Sequence, residues 1–289
     1  NVIVNPVNDG PVINFLKTTI ANGSFESGLT DWSSSEINFI DDWEAAEGTK
    51  LLDMNAEAGG GYVEQSLQTI VGAQYTVGFA LSKNPGTTAA GGLETLRVSV
   101  AGSSQDYKFS QSNSELDMQW SQQTFTFTAN STSTTLRLAS ADATGGSDAW
   151  GPALDNVRLL ADLSAYEDTS TTIKGLSVSD VDAGSNPITV GLSVSEGTLT
   201  ISGSGLSGDL NGNDGTLSIT GSQADINAAL ANGLVYKGNQ DYFGADTLSV
   251  TVNDQGNFGA GGNLSAAKNI SINVVPVNDG PSISFVTPS

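Results

Sequence analysis

The chain contains no cysteine and no histidine. Their absence excludes disulfides, thiol chemistry, Cys/His zinc sites, imidazole bases and most nucleophilic triads. Basic residues are scarce, 10 against 31 acidic ones, which gives a formal charge of −21. A surface of that sign repels phosphate and excludes nucleic acid as a partner. No apolar run reaches the roughly 18 residues that a membrane-spanning helix needs. Aromatics make up only 7% of the chain while glycines number 34, a balance that suits strands and turns better than a helical bundle. A length of 289 residues, at about 150 per domain, predicts two domains. The chain does not start with methionine and opens on the strand-like Asn1-Val2-Ile3-Val4, so a piece of a longer protein is expected. The acid surplus has two readings: a solvated, solubility-driven surface, or carboxylates that serve as calcium ligands in an extracellular protein.

One repeat frames the chain. Pro6-Val7-Asn8-Asp9-Gly10-Pro11 recurs letter for letter as Pro276-Val277-Asn278-Asp279-Gly280-Pro281, and Ile13 and Phe15 are echoed by Ile283 and Phe285. Each copy reads as a junction where a strand ends, an Asn-Asp-Gly turn follows and a Pro-led strand opens the next module. The composition changes between the copies. All four tryptophans, all three arginines and both methionines lie between residues 32 and 158; the last 130 residues hold none of them and are rich in Ser, Thr, Gly, Val, Asp and Asn.

Residues past 160 alternate with a period of two, as in Ile188–Val194, Thr198–Ile201, Thr247–Val252 and Asn269–Val274. One short helix interrupts them, started by Ser222 with Asp225 three residues on and stopped by Asn232-Gly233. The ordered set Glu167-Asp168-Thr, Asp180-Val-Asp182-Ala-Gly, Ile-Asn-Ala-Ala-Leu230, Leu-Val-Tyr236, Tyr242-Phe-Gly-Ala-Asp246 and Asn253-Asp254 resembles the cadherin-like tandem repeats of giant bacterial repeats-in-toxin (RTX) adhesins. The opening strand is separated from the Glu-Asp-Thr segment by about 150 residues, which implies a split repeat with a second domain inserted. Residues 1–20 would be the linker and first strand, 161–281 the remainder of the repeat, and 282–289 the start of the next one. The resemblance implies calcium at the ends of the sandwich, with Asn8, Asp9, Glu167, Asp168, Asp180, Asp182, Asp254, Asn278 and Asp279 as matching ligands. Asp180 and Asp182 stand two apart, so in an extended segment both can face one ion. Asp209–Gly215 starts like an EF-hand loop but carries Asp214 and Thr220 where that loop wants Gly and Glu, and is expected to be a hairpin turn.

Residues 21–160 alternate as well, in Tyr75–Leu81, Leu96–Val100, Thr124–Phe127 and Leu136–Leu138. The insert opens on Asn22-Gly-Ser-Phe-Glu26 and closes on Gly151-Pro-Ala-Leu-Asp155-Asn-Val157, and is similar to the galactose-binding-domain-like jelly rolls that serve as carbohydrate-binding modules. That likeness implies a structural calcium held by Glu26 and Asp155, clipping first and last strands together. The fold class expected for the whole chain is therefore all-β, two sandwiches, with a jelly roll inserted into a split cadherin-like, Ig-like repeat.

A sugar site wants an aromatic platform and directional polar groups. Trp43 and Trp150 are the platform candidates; Asp41, Asp42, Asn84 and Asp148 are candidate ligands for hydroxyls or calcium. The alternative for both tryptophans is that they cap the core, which is also expected of Trp32 and Trp120. Arg97 and Arg137 alternate with apolar neighbours and are expected on a solvent-facing sheet surface.

The function expected is a calcium-dependent lectin module of a bacterial surface adhesin, extracellular and monomeric, partnered by cell-surface glycans and by neighbouring repeats of its own chain. Two other classes compete with it: a spacer rigidified by calcium, and a peptide-binding adhesin module. A glycoside hydrolase needs two carboxylates roughly 5–10 Å apart across a cleft. Asp41, Asp42 and Asp148 are the acids that could supply them, but a small jelly roll offers little enclosure, so no enzyme is expected.

Overall fold

The computed structural model describes residues 6–54, 60–86, 94–141, 151–257 and 259–281. It is almost wholly β, with one helix among the described residues. The chain forms two compact units. Unit 1 gathers residues 1–13, 165–173 and 177–289; unit 2 comprises 14–164 with 174–176. The changeovers at 13/14 and 164/165 stand seven and four residues from the 20/21 and 160/161 breaks that the resemblance implies.

Unit 2 contains a five-stranded antiparallel sheet in the order Ser33–Ser35, Tyr62–Gln68, Ser133–Ser140, Glu94–Val100, Ser103–Phe109. Alternation builds it: Val63, Leu67, Leu136, Leu138, Val98 and Val100 are buried on one face. The register pairs Leu138 with Val63 on one side and with Val98 on the other. Apolar side chains directly opposite across strands stabilise such ladders. In the second sheet Gln74–Ser82 lies between Ser121–Thr128 and Ala153–Leu159, and the latter pairs with Leu51–Asp53, which pairs with Asn38–Ile40. From Tyr75 to Ser82 every residue is buried, so this strand is covered on both faces. A small cluster of Leu51, Met118 and Ala153 supplies part of that cover, with Ile40, Trp43, Ala45 and Trp120 packed against it.

In unit 1 one sheet runs Ser207–Asp209, Thr216–Ser222, Pro187–Ser193, Gly244–Asn253, Ser265–Val275, and a second runs Ser170–Ile173, Leu234–Gly238, Gly197–Thr200, Asn211–Gly212. The helix is Gln223–Asn232. Ser222 caps it by accepting from the Asp225 amide, and the Gly233 amide, at φ 120°, donates to Ala229. Within the expected hairpin, residues 213–215 form the turn, between Asn211–Gly212 and Thr216–Ser222. Asp214 Oδ1 accepts from the Thr216 amide and hydroxyl, and Gly215 sits at φ 81°.

Tyr236 is fully buried and its hydroxyl donates to Asp246 Oδ2 at 3.0 Å. Burial, reinforced by the Asp246 charge, pushes the phenol pKa up, so the group stays a donor. Asp246 also accepts from the amides of Ser195, Glu196 and Thr247. Tyr236→Phe is expected to cost unit 1 about 1–2 kcal/mol in urea unfolding, the loss of one buried hydrogen bond to a charged acceptor.

Candidate functional site

The residues implicated by the ends of the insert do come to one segment. Glu26 Oε1 accepts from the amides of Thr49 and Lys50, both at 2.8 Å, and Oε2 accepts from the Thr49 hydroxyl. Those amides hold the Glu26 carboxyl below its usual pKa. Asp155 is fully buried; its Oδ2 accepts from the amides of Ala46 and Glu47 and its Oδ1 from Asn156. Burial pushes the Asp155 pKa up to about 6, against the pull of those amides. The first and last parts of unit 2 thus grip one loop, 46–50, through backbone donors.

The loop candidates for a sugar platform do not assemble. Asp41 and Asp42 are exposed, whereas Trp43 is half-buried against the Leu51–Met118–Ala153 cluster. Asn84 is fully buried: its Nδ2 donates to Asp53 Oδ2 at 3.1 Å and its Oδ1 accepts from the Gly86 amide. This corrects its expected role toward a sugar, because a side chain sealed inside the protein with both ends engaged is not presented to a hydroxyl at the surface. Asp148 and Trp150 lie outside the described residues. Trp32 is buried, its ring tilted 50° to that of Phe25 with centroids 5.6 Å apart, and its indole donates to the Asn22 carbonyl. Trp120 is only partly buried, its indole donating to the Glu44 carbonyl.

A polar surface does assemble on the solvent face of the five-stranded sheet. Ser33, Glu64, Arg137, Ser99 and Ser104 stand directly opposite one another, one from each strand, in a single row. The neighbouring row is Ser35, Tyr62, Ala139, Arg97 and Asp106. Arg137 donates to Glu64 Oε2 at 2.8 Å and lies 3.4 Å over the Tyr62 ring. That contact fixes the guanidinium, since a cation over a ring face gains electrostatic energy. Arg97 forms a two-pronged pair with Asp106, at 2.7 and 2.8 Å. Two grooves border Arg137 and Glu64. One, of about 510 Å³, is lined by Ser99, Ser104, Asn130, Ser133, Thr135 and Arg137. The other, of about 570 Å³, is lined by Lys17, Thr19, Asp31, Ser33, Glu64 and Gln68, among others. Tyr62, Glu64 and Asp106 were not singled out in the sequence; the signal was the alternation of Tyr62 and Glu64 with the buried Val63 and Gln65.

The expected calcium ligands of unit 1 fall at opposite ends of the strand Ser265–Val275. At its start the Asp254 amide donates to Leu264, and at its finish the Glu167 amide donates to Val275. Eleven residues at roughly 3.3 Å each separate them. At the first end Asn8 Nδ2 donates to Asp254 Oδ2 at 2.6 Å, and the Asp9 amide donates to Asp182 Oδ2 at 2.5 Å. Burial alone would raise the Asp254 pKa, but amides of Gly256 and Leu264 together with Asn8 bring it below the usual value. Asp180 and Asp182 are not in an extended segment. Asp180 Oδ1 accepts from the amides of Asp182 and Ala183 and so caps a turn, which turns the two carboxylates to different partners. Asn8 Oδ1 and Asp180 Oδ2 are buried without a hydrogen-bond partner. At the second end Asp168, Asp241 and Asp279 place carboxylate oxygens within 4.8 Å of one another. Glu167 Oε1 accepts from the Val277 amide instead, and Asn278 is exposed. Asp241 carried no motif in the sequence.

Unit 2 is thus an antiparallel two-sheet β structure whose first and last segments hold a common loop. Residues 14–160 match the family model described as Protein of unknown function (DUF642), and at half of its length the chain belongs to that family. Among solved structures the chain is similar to a family 35 carbohydrate-binding module from Clostridium thermocellum, 18% identical, covering 53% of this chain and 98% of that one, at a TM-score of 0.34. It is likewise similar to TmCBM61 in complex with β-1,4-galactotriose, 17% identical over 51% of this chain and 97% of that one, TM-score 0.35. A third is the CBM22-1 xylan-binding domain of Paenibacillus barcinonensis Xyn10C, 18% identical over 54% and 96%, TM-score 0.33. No curated protein matches the chain.

The Asp155 environment fixes the sign of a pH effect. A folded pKa of about 6 lies above the ordinary 3.8, so the folded state holds the proton longer than the unfolded chain. In chelator, unit 2 is expected to lose stability as pH rises from about 4 to about 6, by on the order of 2 kcal/mol, with no further loss from this group above it. Asp155→Asn should flatten that slope in denaturant titrations across the range.

Proposed function

We propose that the chain is a calcium-dependent glycan-binding module of a bacterial surface adhesin, with unit 2 as the recognition domain and unit 1 as one of a series of cadherin-like repeats. The observation that carries the glycan reading is the in-register polar row on unit 2, with Arg137 clamped between Glu64 and the Tyr62 ring. A fixed guanidinium offers directional donors to paired hydroxyls, and the Ser, Thr and Asn groups of the bordering groove add donors and acceptors. Because Arg137 covers the Tyr62 ring, recognition there rests on hydrogen bonds more than on ring stacking. The exposed row replaces the loop platform as the site to test.

Calcium is supported by the donor set at the first end of unit 1. Asn8, Asp180, Asp182 and Asp254 supply only oxygens, the ligands a hard cation takes, and Asn8 Oδ1 and Asp180 Oδ2 have no other partner. An ion bound there would neutralise acids that otherwise repel one another. Carboxylate oxygens are likewise offered together by Asp168, Asp241 and Asp279 and, in unit 2, by Glu26 with Asp155, whose oxygens also accept from the 46–50 loop. Localisation on the bacterial cell surface and a monomeric state belong to the same reading.

A spacer role is the second reading, and Trp43 favours it. This tryptophan, the natural stacking platform, is spent on packing against Leu51, Met118 and Ala153.

A glycan array probed at millimolar calcium and again in chelator separates the two. Binding is expected with calcium, and Arg137→Ala should weaken it by about tenfold or more, one charge-assisted contact's worth, with melting of unit 2 little changed. No binding on a broad array, by a folded chain, would favour the spacer. Calcium should also raise the melting temperature of unit 1, and Asp180→Asn should remove most of that rise.

A further inference from the structure

The open sheet face of unit 2 carries one device twice. Arg137 donates to Glu64 across one pair of strands, and Arg97 donates to both carboxylate oxygens of Asp106 across the next pair. All four side chains remain between 31% and 52% exposed, so both ion pairs can be reached from solvent. Exposed ion pairs add little to a fold, and stability alone does not account for two of them here. A guanidinium carries five N–H groups and a carboxylate about four lone-pair sites, so one or two mutual hydrogen bonds leave free donors beside free acceptors. That is the complement of two neighbouring hydroxyls, one accepting from the arginine and the other donating to the acid. An acidic sugar fits badly. Its carboxylate or sulfate brings acceptors only, and it would meet Glu64 or Asp106 as a like charge at close range.

The register sets the distance between the two pairs. Glu64 and Arg137 share one row, while Arg97 and Asp106 lie in the neighbouring row, two residues along and two strands over. At about 4.8 Å per strand and 3.3 Å per residue, the pairs stand about 12 Å apart on a diagonal. Only Ala139 and Ser99 lie on that diagonal, and both side chains are short. Lys108 is exposed one row beyond Asp106, off the line. A single sugar ring cannot touch both pairs, whereas the first and third rings of an extended chain can. We propose that this face takes a neutral, extended glycan of at least a trisaccharide, read at alternate rings by Arg137–Glu64 and by Arg97–Asp106, with the middle ring over Ala139 and Ser99. The inference rests on the glycan reading of unit 2 and adds the ligand's charge, its least length and its two grip points.

A length series tests this. The full chain, at millimolar calcium, is applied to immobilised glucans, galactans, mannans and xylans from monosaccharide to hexasaccharide, beside galacturonates and glucuronates of the same lengths. In a neutral series that binds, affinity is expected to rise about tenfold or more from disaccharide to trisaccharide, the worth of a second charge-assisted contact, and little beyond. The uronate series is expected to stay unbound. Arg97→Ala should erase the rise with melting of unit 2 little changed, because the pair it breaks is exposed. Asp106→Asn keeps the shape of the acid and should shrink the same rise. A monosaccharide bound as tightly as its hexasaccharide, with that binding lost in Arg137→Ala, would overturn the inference and leave the glycan reading standing. Equal binding of the uronates, or a rise that survives both Arg97→Ala and Asp106→Asn, would overturn it as well. If the folded chain bound no glycan of any length, the glycan reading would fall and this inference with it.

Discussion

Carboxylates in this protein must find partners in a chain where acids outnumber bases three to one, and the partners they find are backbone amides. Asp155 and Glu26 hold the 46–50 loop by five N–H and O–H donors, Asp246 holds the turn at Ser195 and Glu196, Asp180 caps the turn at Asp182, and Glu167 holds Val277. An ionised oxygen accepting from fixed amides is held in one geometry, so these acids organise loops as well as decorate them. Arginine, by contrast, is used sparingly, and two of the three, Arg97 and Arg137, stand on one sheet face, where each finds an acid across the strands. The same economy makes the orphaned oxygens of Asn8 and Asp180 stand out, since almost every other described buried polar atom has a donor or acceptor.

The two units put these acids to different ends. In unit 2 they close loops over a β structure whose open sheet face is left free to present an ordered polar row. In unit 1 they collect at the two extremities of the strand Ser265–Val275, where neighbouring modules of a series would meet. The proposed function places recognition and linkage on separate bodies of one chain.

Much of the fold was legible because its signals are local. Period-two alternation marks Gln74–Ser82, Glu94–Val100 and Pro187–Ser193 within a few residues, and Ser222, Asp225 and Gly233 mark the helix through hydrogen bonds made within one turn. The site was less legible because its signals are not local. Tyr62 and Arg137 lie 75 positions apart and meet only through the register of two strands, which no spacing rule announces. Asn84 and Trp43 read as loop residues, yet the loops they occupy are folded back onto a sheet, so one is sealed and the other half-covered. Asp180 and Asp182 illustrate a third cause. A two-residue spacing implies a common face only in an extended strand, and the Asp180 side chain itself bends the segment out of that conformation.

The division of the chain has a mechanical consequence. Both segments that flank unit 2, residues 1–13 and 165–173, belong to unit 1. A pull applied between Asn8 and the segment past Val275 enters unit 1 beside Asp254 and leaves it at the opposite end of one strand. The ladder between Ser265–Val275 and Gly244–Asn253 is ten residue pairs long, and it is loaded along its length, so its hydrogen bonds share the force together instead of parting one at a time. Unit 2 carries no tension until unit 1 has torn open. A domain spliced into its host in this way stays slack for as long as the host holds.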